Sequence, residues 1–258
     1  MLGKQRREEI LRRIQRHGYV SASQLSDEYN VDPSTIRRDL EALSRMGLVM
    51  RSHGGASMRT ESVDLAYDVK LERRVVQKRA IAQAAAAQIE EGTSAVIDSG
   101  STTLEVARAL RGRLGLTVVT DDLRVSAELA GHGDVRLIVT GGEVMPSFYT
   151  LIGERAAETI RQYQVDVAII GVDAVDPQGL MLTNSFEVPL KRAMIECADR
   201  VVVVADSSKL GSRALVRVAS LDEVDLVITD EGLDAALVSQ YSVKILRVPL
   251  NGPSELAQ

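Results

Sequence analysis

The sequence predicts an α/β protein with an N-terminal winged helix-turn-helix and a larger C-terminal α/β domain. Short amphipathic helical stretches occupy residues 1–58 and a polar stretch without periodicity follows, whereas Val- and Ile-rich runs alternate with helix-length segments further on. We therefore predict a first domain over 1–58, a linker over 59–75 and a second domain over 76–258.

The composition is that of a folded, water-soluble chain. Of the 258 residues, 45% are apolar and 26% are charged, which is enough to form a sizeable core. No apolar run approaches the roughly 20 residues that span a bilayer, and the chain begins with charged residues. The sequence thus predicts a cytoplasmic protein without a membrane partner. Because Cys197 is the single cysteine and the histidines are scattered, no disulfide or metal site is expected.

Charge is distributed unevenly along the chain. Residues 1–60 contain 11 Lys and Arg against 7 Asp and Glu, whereas the remainder has a net charge of −9 within a total of −5. A basic N-terminal part attached to an acidic body is typical of a DNA-binding module joined to a domain that does not contact phosphates.

Three short helices are predicted in the first domain. The first runs from about Gln5 to Gln15, Ser21 is expected to cap the second, and Asp32-Pro33 begins the third. At about 100° per residue, the apolar side chains of the third helix share one face, which should pack on the first two helices: Ile36, Leu40 and Leu43.

The opposite side of the third helix carries the candidate DNA-binding residues. Arginine can donate two hydrogen bonds to guanine or contact a phosphate, and hydroxyl groups can position a helix on the DNA backbone. After Gly47, residues 48–56 predict a β-hairpin that turns at Gly54-Gly55, a basic wing. The predicted DNA-binding set is Ser34, Thr35, Arg37, Arg38, Arg45, Arg51 and His53. The alternative is an ordinary three-helix bundle with a solvated arginine pair, which would not require the wing.

The second domain follows a long helical pattern over about 68–89. Its strand-like runs are 95–97, 116–119, 135–139, 165–170, 201–204 and 226–228. Continuous Val and Ile runs predict strands covered on both faces, hence a largely parallel sheet flanked by helices. Ligands in such sheets bind at the carboxyl ends of the strands.

A candidate ligand site lies at those strand ends. The first strand leads through a serine- and threonine-rich loop directly into a helix, an arrangement that suits a phosphate group. Polar or small residues follow the later strands. The predicted effector-binding set is Asp98, Ser99, Gly100, Ser101, Thr102, Thr103, Thr120, Asp121, Gly141, Gly142, Asp173, Glu187, Lys191 and Lys209. Three alternatives remain open: the hydroxyls cap the helix, Glu187 and Lys191 form a surface ion pair, and Lys209 is a solvated lysine.

Two motifs resemble the signature of the DeoR family of regulators. They are Thr35-Ile36-Arg37-Arg38-Asp39-Leu40 and Arg51-x-His53-Gly54-Gly55-Ala56, and the second domain resembles the sensor domain of that family. The resemblance implies a sensor fold shared with ribose-5-phosphate isomerase and a phosphorylated sugar or its breakdown product as effector. It implies that Ser99 to Thr103 hold the phosphate, with Lys191 and Lys209 as charge partners. The chain departs from the pattern at Asp121, where family members commonly have Asn.

Three classes of function are compared on these residues. For a sugar-phosphate isomerase, the Asp-Gly-Ala-Asp block of the similar isomerases reads Ile170-Gly171-Val172-Asp173 here, and Lys191 falls at or near their catalytic glutamate. We therefore expect binding without turnover, and no cofactor. A ligand-free dimerisation scaffold would have no use for the loop at 99–103. The sequence favours a repressor of a sugar-metabolism operon that binds two-fold operator DNA as a homodimer or homotetramer.

Overall fold

The chain folds into two compact units, Met1–Leu65 and Ala66–Gln258. The computed structural model describes residues 3–17, 19–46, 48–52, 54–58, 67–131, 134–145 and 148–250. The second unit begins ten residues before the predicted boundary at 76, and contacts given below account for this difference. None of the helices within these ranges is long and apolar enough to cross a membrane.

The first unit combines helices with a small antiparallel sheet. Its elements in the described ranges are α1 (Gly3–His17), β1 (Tyr19–Ser21), α2 (Ala22–Tyr29), α3 (Pro33–Arg45), β2 (Val49–Ser52) and β3 (Gly55–Met58). Strands β2 and β3 form the predicted wing, with Ser52 opposite Gly55. Strand β1 adds to the outer side of β3, so that the sheet order is β1-β3-β2. The sequence analysis missed β1 because three residues are too few to show an alternating pattern.

Helix α3 begins where the sequence predicted. Asp32 occupies the N-cap and accepts a hydrogen bond from the Ser34 amide at 2.7 Å, while Pro33 fills the first helical position. The predicted apolar face is buried in one core with α1 and the sheet: Ile10, Ile14, Val20, Leu25, Ile36, Leu40, Leu43, Val49 and Ala56. The predicted cap of α2 is only partly correct. Ser21 lies at the N-cap, but its hydroxyl pairs with the Ser23 hydroxyl and caps no backbone amide.

A buried ion pair joins α3 to α1. Arg6 Nε lies 2.6 Å from Asp39 Oδ2, and the two side chains are only 9% and 5% exposed. Arg7 contributes a second contact to the same carboxylate at 3.3 Å. Sequence analysis counted Arg6 and Arg7 toward the basic surface, whereas the structure uses them to fix the orientation of α3.

The second unit is built around a seven-stranded parallel sheet. Its elements in the described ranges are α4 (Tyr67–Glu72), α5 (Val75–Ala86), β4 (Ser94–Ile97), α6 (Ser101–Ala109), β5 (Leu116–Thr120), α7 (Leu123–Ala130), β6 (Val135–Val139), β7 (Glu143–Val144), β8 (Leu151–Ile152), α8 (Glu154–Arg161), β9 (Val167–Gly171), β10 (Ala174–Asp176), β11 (Gly179–Leu182), α9 (Val188–Glu196), β12 (Val201–Val204), β13 (Val216–Ala219), β14 (Leu226–Asp230), α10 (Ala235–Val238) and β15 (Ile245–Val248), with 3-10 turns at Ser207–Lys209 and Leu221–Glu223. The order of the large sheet is β15-β14-β12-β9-β4-β5-β6.

Both faces of this sheet are covered, as the unbroken apolar runs predicted. Along β9, Val167 and Ile169 pack with α5, α6 and α7, whereas Ala168 and Ile170 pack with α8 and α9. All six predicted strands are present. The sequence analysis missed β15, the β7-β8 hairpin and the small antiparallel sheet β10-β11-β13, because short strands in polar surroundings give little periodic signal.

The long helix predicted over 68–89 is instead two helices. Helix α4 ends at Glu72 and α5 begins at Val75, because Arg74 adopts a left-handed conformation with φ of 51°. Helix α4 packs against α6, and Lys70 pairs with Asp173 at 3.1 Å. Residues 67–72, predicted as linker, therefore belong to the second unit.

The Arg6–Asp39 pair provides a test of how α3 is held. Asp39→Ala leaves the Arg6 guanidinium buried without its carboxylate, so we expect the first unit to lose about 3–5 kcal/mol of stability. Hydrogen–deuterium exchange of α1 and α3 in the full chain measures this as faster exchange. Glu41→Gln, an exposed change on the same helix, is the control and should leave exchange unchanged. Equal exchange in wild type and Asp39→Ala would exclude the pair as a determinant of α3 orientation.

Candidate nucleic-acid interface and ligand cleft

The predicted DNA-binding side chains of α3 lie on its outer face. Ser34, Arg37, Arg38 and Arg45 are exposed, and Thr35 is half-buried on the flank. This confirms the predicted division of the helix into a packed and an exposed face. Arg51 lies on strand β2 opposite Ala56. His53 falls outside the described residues.

The wing and the start of α3 border the same groove. The Ala22 amide donates to the Gly54 carbonyl at 2.8 Å, which holds the wing turn against the N-terminus of α2. Pro33, Arg37, Gly54 and Gly55 line the groove between them. Gly54 has a φ of +84°, a conformation that favours glycine at this tight turn. Arginines on an exposed helix end beside a wing form a surface that can contact DNA bases and phosphates together.

The second unit contains a cleft at the carboxyl ends of β4, β9 and β12. It encloses about 430 Å³ of empty space, part of it open to solvent. The lining residues are Lys70, Ser99, Gly100, Ser101, Thr102, Thr103, Gly171, Val172, Asp173, Leu182, Glu187, Lys191, Val204 and Lys209. Nine of them were predicted from the sequence, which brings the loop at 99–103 together with Asp173, Glu187, Lys191 and Lys209.

The loop before α6 is the candidate anion-binding turn. Gly100 occupies the N-cap with a φ of 144°, and an added Cβ would lie 3.3 Å from Thr103 Oγ1. Because glycine has no side chain, the N-cap position supplies no side-chain hydrogen bond to the first-turn amides of α6, and the residues of that turn line the cleft. The Thr103 hydroxyl donates to the Gly100 carbonyl at 2.9 Å and caps no amide. These contacts disfavour the interpretation in which the loop hydroxyls merely cap the helix.

A buried ionic cluster supports the loop from below. Lys191 Nζ contacts Asp98 Oδ2 closely, donates to the Gly171 carbonyl at 3.0 Å and lies 3.6 Å from Glu187 Oε2. The same Asp98 oxygen accepts from the Gly171 amide at 2.7 Å. The Glu187–Lys191 pair thus forms, but with Lys191 3% exposed it is no surface ion pair. Two of the three N–H donors of the ammonium therefore have acceptors in Asp98 and Gly171, and Glu187 lies beyond hydrogen-bond distance of the third.

Burial controls the charge state of this cluster. It raises the pKa of the Asp98 carboxyl to about 6, against the opposing effect of the Lys191 ammonium. Burial and the neighbouring Asp98 charge raise the pKa of Asp121 well above the ordinary carboxyl value. Both Asp121 carboxyl oxygens and Asp98 Oδ1 are buried without a hydrogen-bond partner. Burial thus favours the uncharged form of Asp121, which has the same charge as the asparagine that the related pattern carries there.

A second group of charges lies at the opening of the cleft. Asp173 accepts from the Thr183 amide at 3.0 Å and the Thr183 hydroxyl at 2.8 Å, and it pairs with Lys70. Although burial opposes the shift, Lys70 and Lys209 hold the pKa of Asp173 well below its usual range. Lys209 donates to the Val172 carbonyl, and burial lowers its pKa. Lys209 is thus held at the cleft, unlike a solvated surface lysine.

Five predicted residues do not line the cleft. Asp98, Thr120 and Asp121 are fully buried beneath it. Gly141 and Gly142 follow β6, the edge strand two positions from β4, so that their end of the sheet lies away from the cleft. Gly142 has a different role, because an added Cβ would lie 2.6 Å from the Ile152 carbonyl oxygen where β7 and β8 approach.

The sequence analysis also missed part of the lining. Gly171, Val172, Leu182 and Val204 contribute backbone or apolar surface, for which no residue-type signal exists. Lys70 lies in the segment assigned to the linker. Its cleft partner Asp173 is 103 residues away in the sequence, so no local pattern indicates this role.

Comparison with known families decides the class of protein. Residues 6–62 match the DeoR-like helix-turn-helix domain, and residues 73–231 match the DeoR C-terminal sensor domain. The chain belongs to the DeoR family. It is a transcriptional regulator that binds operator DNA through the first unit, and the cleft lies within its sensor domain.

The curated relatives of this DeoR-family chain are named as regulators, and the chain aligns with them over nearly their whole length. It is 37% identical to the glycerol-3-phosphate regulon repressor of Escherichia coli, over 88% of this chain and 90% of that protein. It is 38% identical to the HTH-type transcriptional regulator GlpR of Haloferax volcanii, over 91% and 92%. It is 34% identical to a putative aga operon transcriptional repressor of Escherichia coli O157, over 90% and 87%.

Solved structures with a related sheet include ribose-5-phosphate isomerases. The enzyme from Methanocaldococcus jannaschii aligns with 20% identity and a TM-score of 0.38, over 52% of this chain and 53% of that chain. A likeness at this level carries no information about activity.

The neutral state of Asp121 in the regulator can be tested by pH-dependent stability. In the unfolded chain an aspartate ionises above about pH 4, whereas folded Asp121 stays protonated to a higher pH. Wild-type stability therefore falls, relative to Asp121→Asn, as pH rises from about 4 to the folded pKa, and the difference then stays constant. We expect Asp121→Asn to be more stable at pH 7 by about 1–3 kcal/mol and nearly equal at pH 4.

Urea unfolding at pH 4, 5.5 and 7 measures this difference. Asp134→Asn, a change at an exposed aspartate, is the control and should give no trend. A stability difference that is independent of pH, or that favours the wild type at pH 7, would contradict a neutral Asp121.

Proposed function

We propose that this regulator represses a carbohydrate-metabolism operon and releases its operator when a phosphorylated sugar, or a phosphorylated breakdown product, binds the cleft. The observation that carries the proposal is the uncapped N-terminus of α6 at Gly100, which faces a cleft that also contains lysine ammonium groups. Two of the three curated relatives described above are named as repressors, one of them of a glycerol-3-phosphate regulon.

The chemistry of the cleft suits a phosphate group. Backbone amides at a helix N-terminus point toward a bound anion, and the helix dipole favours negative charge there. Lys209 supplies a cation, and small side chains at 99–102 leave room for the phosphate oxygens. Lys191, given by the resemblance as a second charge partner, acts in this proposal by positioning the loop, since Asp98 and the Gly171 carbonyl hold its buried ammonium.

The same cleft is a poor isomerase site. Proton transfer between sugar carbons needs a carboxylate whose pKa lies near the operating pH. Asp173 faces the cleft, but its pKa is depressed below that of an ordinary aspartate, which makes it a weak base. We propose ligand binding without turnover and without a cofactor. Isomerisation of ribose 5-phosphate by the purified chain would contradict this.

Operator recognition is proposed to involve a homodimer or homotetramer in the cytoplasm. Helix-turn-helix proteins bind two-fold operators with half-sites about 34 Å, or a multiple of that distance, apart. If the effector binds one arrangement of the two DNA-binding units better than another, it shifts the population, and operator DNA then alters effector affinity reciprocally.

A gel-shift titration tests the effector class. The full-length protein is bound to its own upstream DNA, and glycerol 3-phosphate, ribose 5-phosphate and fructose 6-phosphate are added singly beside their unphosphorylated parents. We expect one phosphorylated compound to release the DNA, and to stabilise the free protein by about 2.7 kcal/mol at a hundredfold excess over Kd. Release by an unphosphorylated parent, or by none of the compounds, would contradict a sugar-phosphate sensor of this class.

Arg38→Ala tests the division of roles between the two units. Loss of an exposed arginine contact to DNA should weaken operator binding about 10–100-fold, and effector-induced stabilisation should persist. Arg161→Ala removes a charge from exposed surface of the sensor domain and is the matched control. If Arg38→Ala instead lowers the stability of the chain, the arginine has a structural role.

A further inference from the structure

Lys70 places part of the connecting segment in the wall of the cleft. It belongs to α4, the first helix of the second unit, and it lines the cleft with the loop at 99–103. The two family matches end at residue 62 and begin at residue 73, so neither covers Lys70. A side chain from this segment therefore faces the site that we propose for the effector.

Several contacts of α4 converge on the cleft. The Lys70 ammonium lies 3.1 Å from Asp173 Oδ1 and 5.9 Å from the centroid of the Phe148 ring. The buried Lys78 ammonium of α5 donates to the Lys70 carbonyl. Arg74, in the break between the two helices, lies 3.4 Å from Asp206. The position of α4 thus depends on an ion pair whose two members both line the ligand cleft.

An incoming anion would compete for Lys70. Lys70, Lys191 and Lys209 line the cleft, and Lys191 is only 3% exposed and is already held by Asp98 and the Gly171 carbonyl. The Lys70–Asp173 pair is partly exposed, at 26% and 16%, so its electrostatic strength is moderate. A phosphate carries about −1.5 to −2 charges at pH 7 and attracts an ammonium more strongly than one carboxylate does.

Asp173 can lose Lys70 without becoming an unpaired buried charge. It keeps two hydrogen bonds from Thr183 and the favourable field of Lys209. The exchange therefore replaces one ion pair of Lys70 by another and leaves Asp173 satisfied, which keeps its free-energy cost low.

We propose that Lys70 is an effector-binding residue that leaves Asp173 for the anionic group of the effector and thereby displaces α4. This inference rests on the proposed function of the cleft. Because α4 is the first helix after the segment that joins the two units in the sequence, its displacement gives effector binding a physical route to the operator. The two states of α4 are the bistable element that such coupling requires.

The test uses the full-length protein and inorganic phosphate or glycerol 3-phosphate as probes. Calorimetric titration should show about tenfold weaker binding of the better probe to Lys70→Gln, the loss of one charge-assisted hydrogen bond. Lys70→Arg should recover most of the affinity because the charge is kept. Arg73→Gln removes a positive charge at an exposed neighbouring residue and should bind like the wild type.

Hydrogen–deuterium exchange of α4 gives the second readout. In the wild type the better probe should accelerate exchange across α4 about fivefold or more. Asp173→Asn should show fast exchange without any probe, and Lys70→Gln should not respond to the probe. A purely structural Lys70 would alter basal exchange but leave the affinity for the probes unchanged.

The outcomes separate this inference from the proposed function. If neither probe binds the wild type, both the phosphate site and the role of Lys70 are overturned. If a probe binds wild type and Lys70→Gln with equal affinity, only the role of Lys70 is overturned. If Arg73→Gln weakens binding as much as Lys70→Gln does, the effect comes from general surface charge. That result would also overturn the role of Lys70.

Discussion

The ion pair between Lys191 and Asp98 is the contact on which the sensor cleft depends. It connects α9 with the end of β4, and through the amide and carbonyl of Gly171 it also fixes the end of β9. The loop at 99–103 begins directly after Asp98, so its position follows from this buried pair. Breaking such a pair would leave an uncompensated charge in the interior. The pair therefore strongly constrains the geometry of the loop at 99–103.

The charged residues of this regulator therefore have different roles according to how deeply they are buried. Below the loop, Asp98 and the Gly171 carbonyl hold Lys191, and burial favours the uncharged form of Asp121, so these groups set structure more than they attract ligand. At the opening, Lys70 and Lys209 share Asp173, and partial exposure leaves that arrangement able to change. The first unit shows the same division, with Arg6 consumed by Asp39 in the core and Arg37 and Arg38 exposed on α3.

Because of this division, the sequence predicts the class of function better than it predicts the roles of individual charged residues. The paired motifs at 35–40 and 51–56 and the hydroxyl-rich loop at 99–103 indicate the family and both binding surfaces, because helix periodicity and strand-end position follow from local pattern. Gly141 and Gly142 were placed at the ligand site because they also follow a strand. They do not line the cleft at β4, β9 and β12 because β6 is the edge strand, and strand order in a sheet is not encoded in any local segment.

The sequence by itself determined the fold class, the parallel strands with both faces covered, the packed and exposed faces of α3, and the serine- and threonine-rich loop that lines the cleft. Each of these follows from residue type and spacing within about twenty positions. Only the tertiary structure decided that Arg6 orients α3, that Lys191 lies buried beneath the loop, and that Lys70 reaches the cleft. Those roles depend on partners 33, 93 and 103 residues away, which only the folded chain brings together.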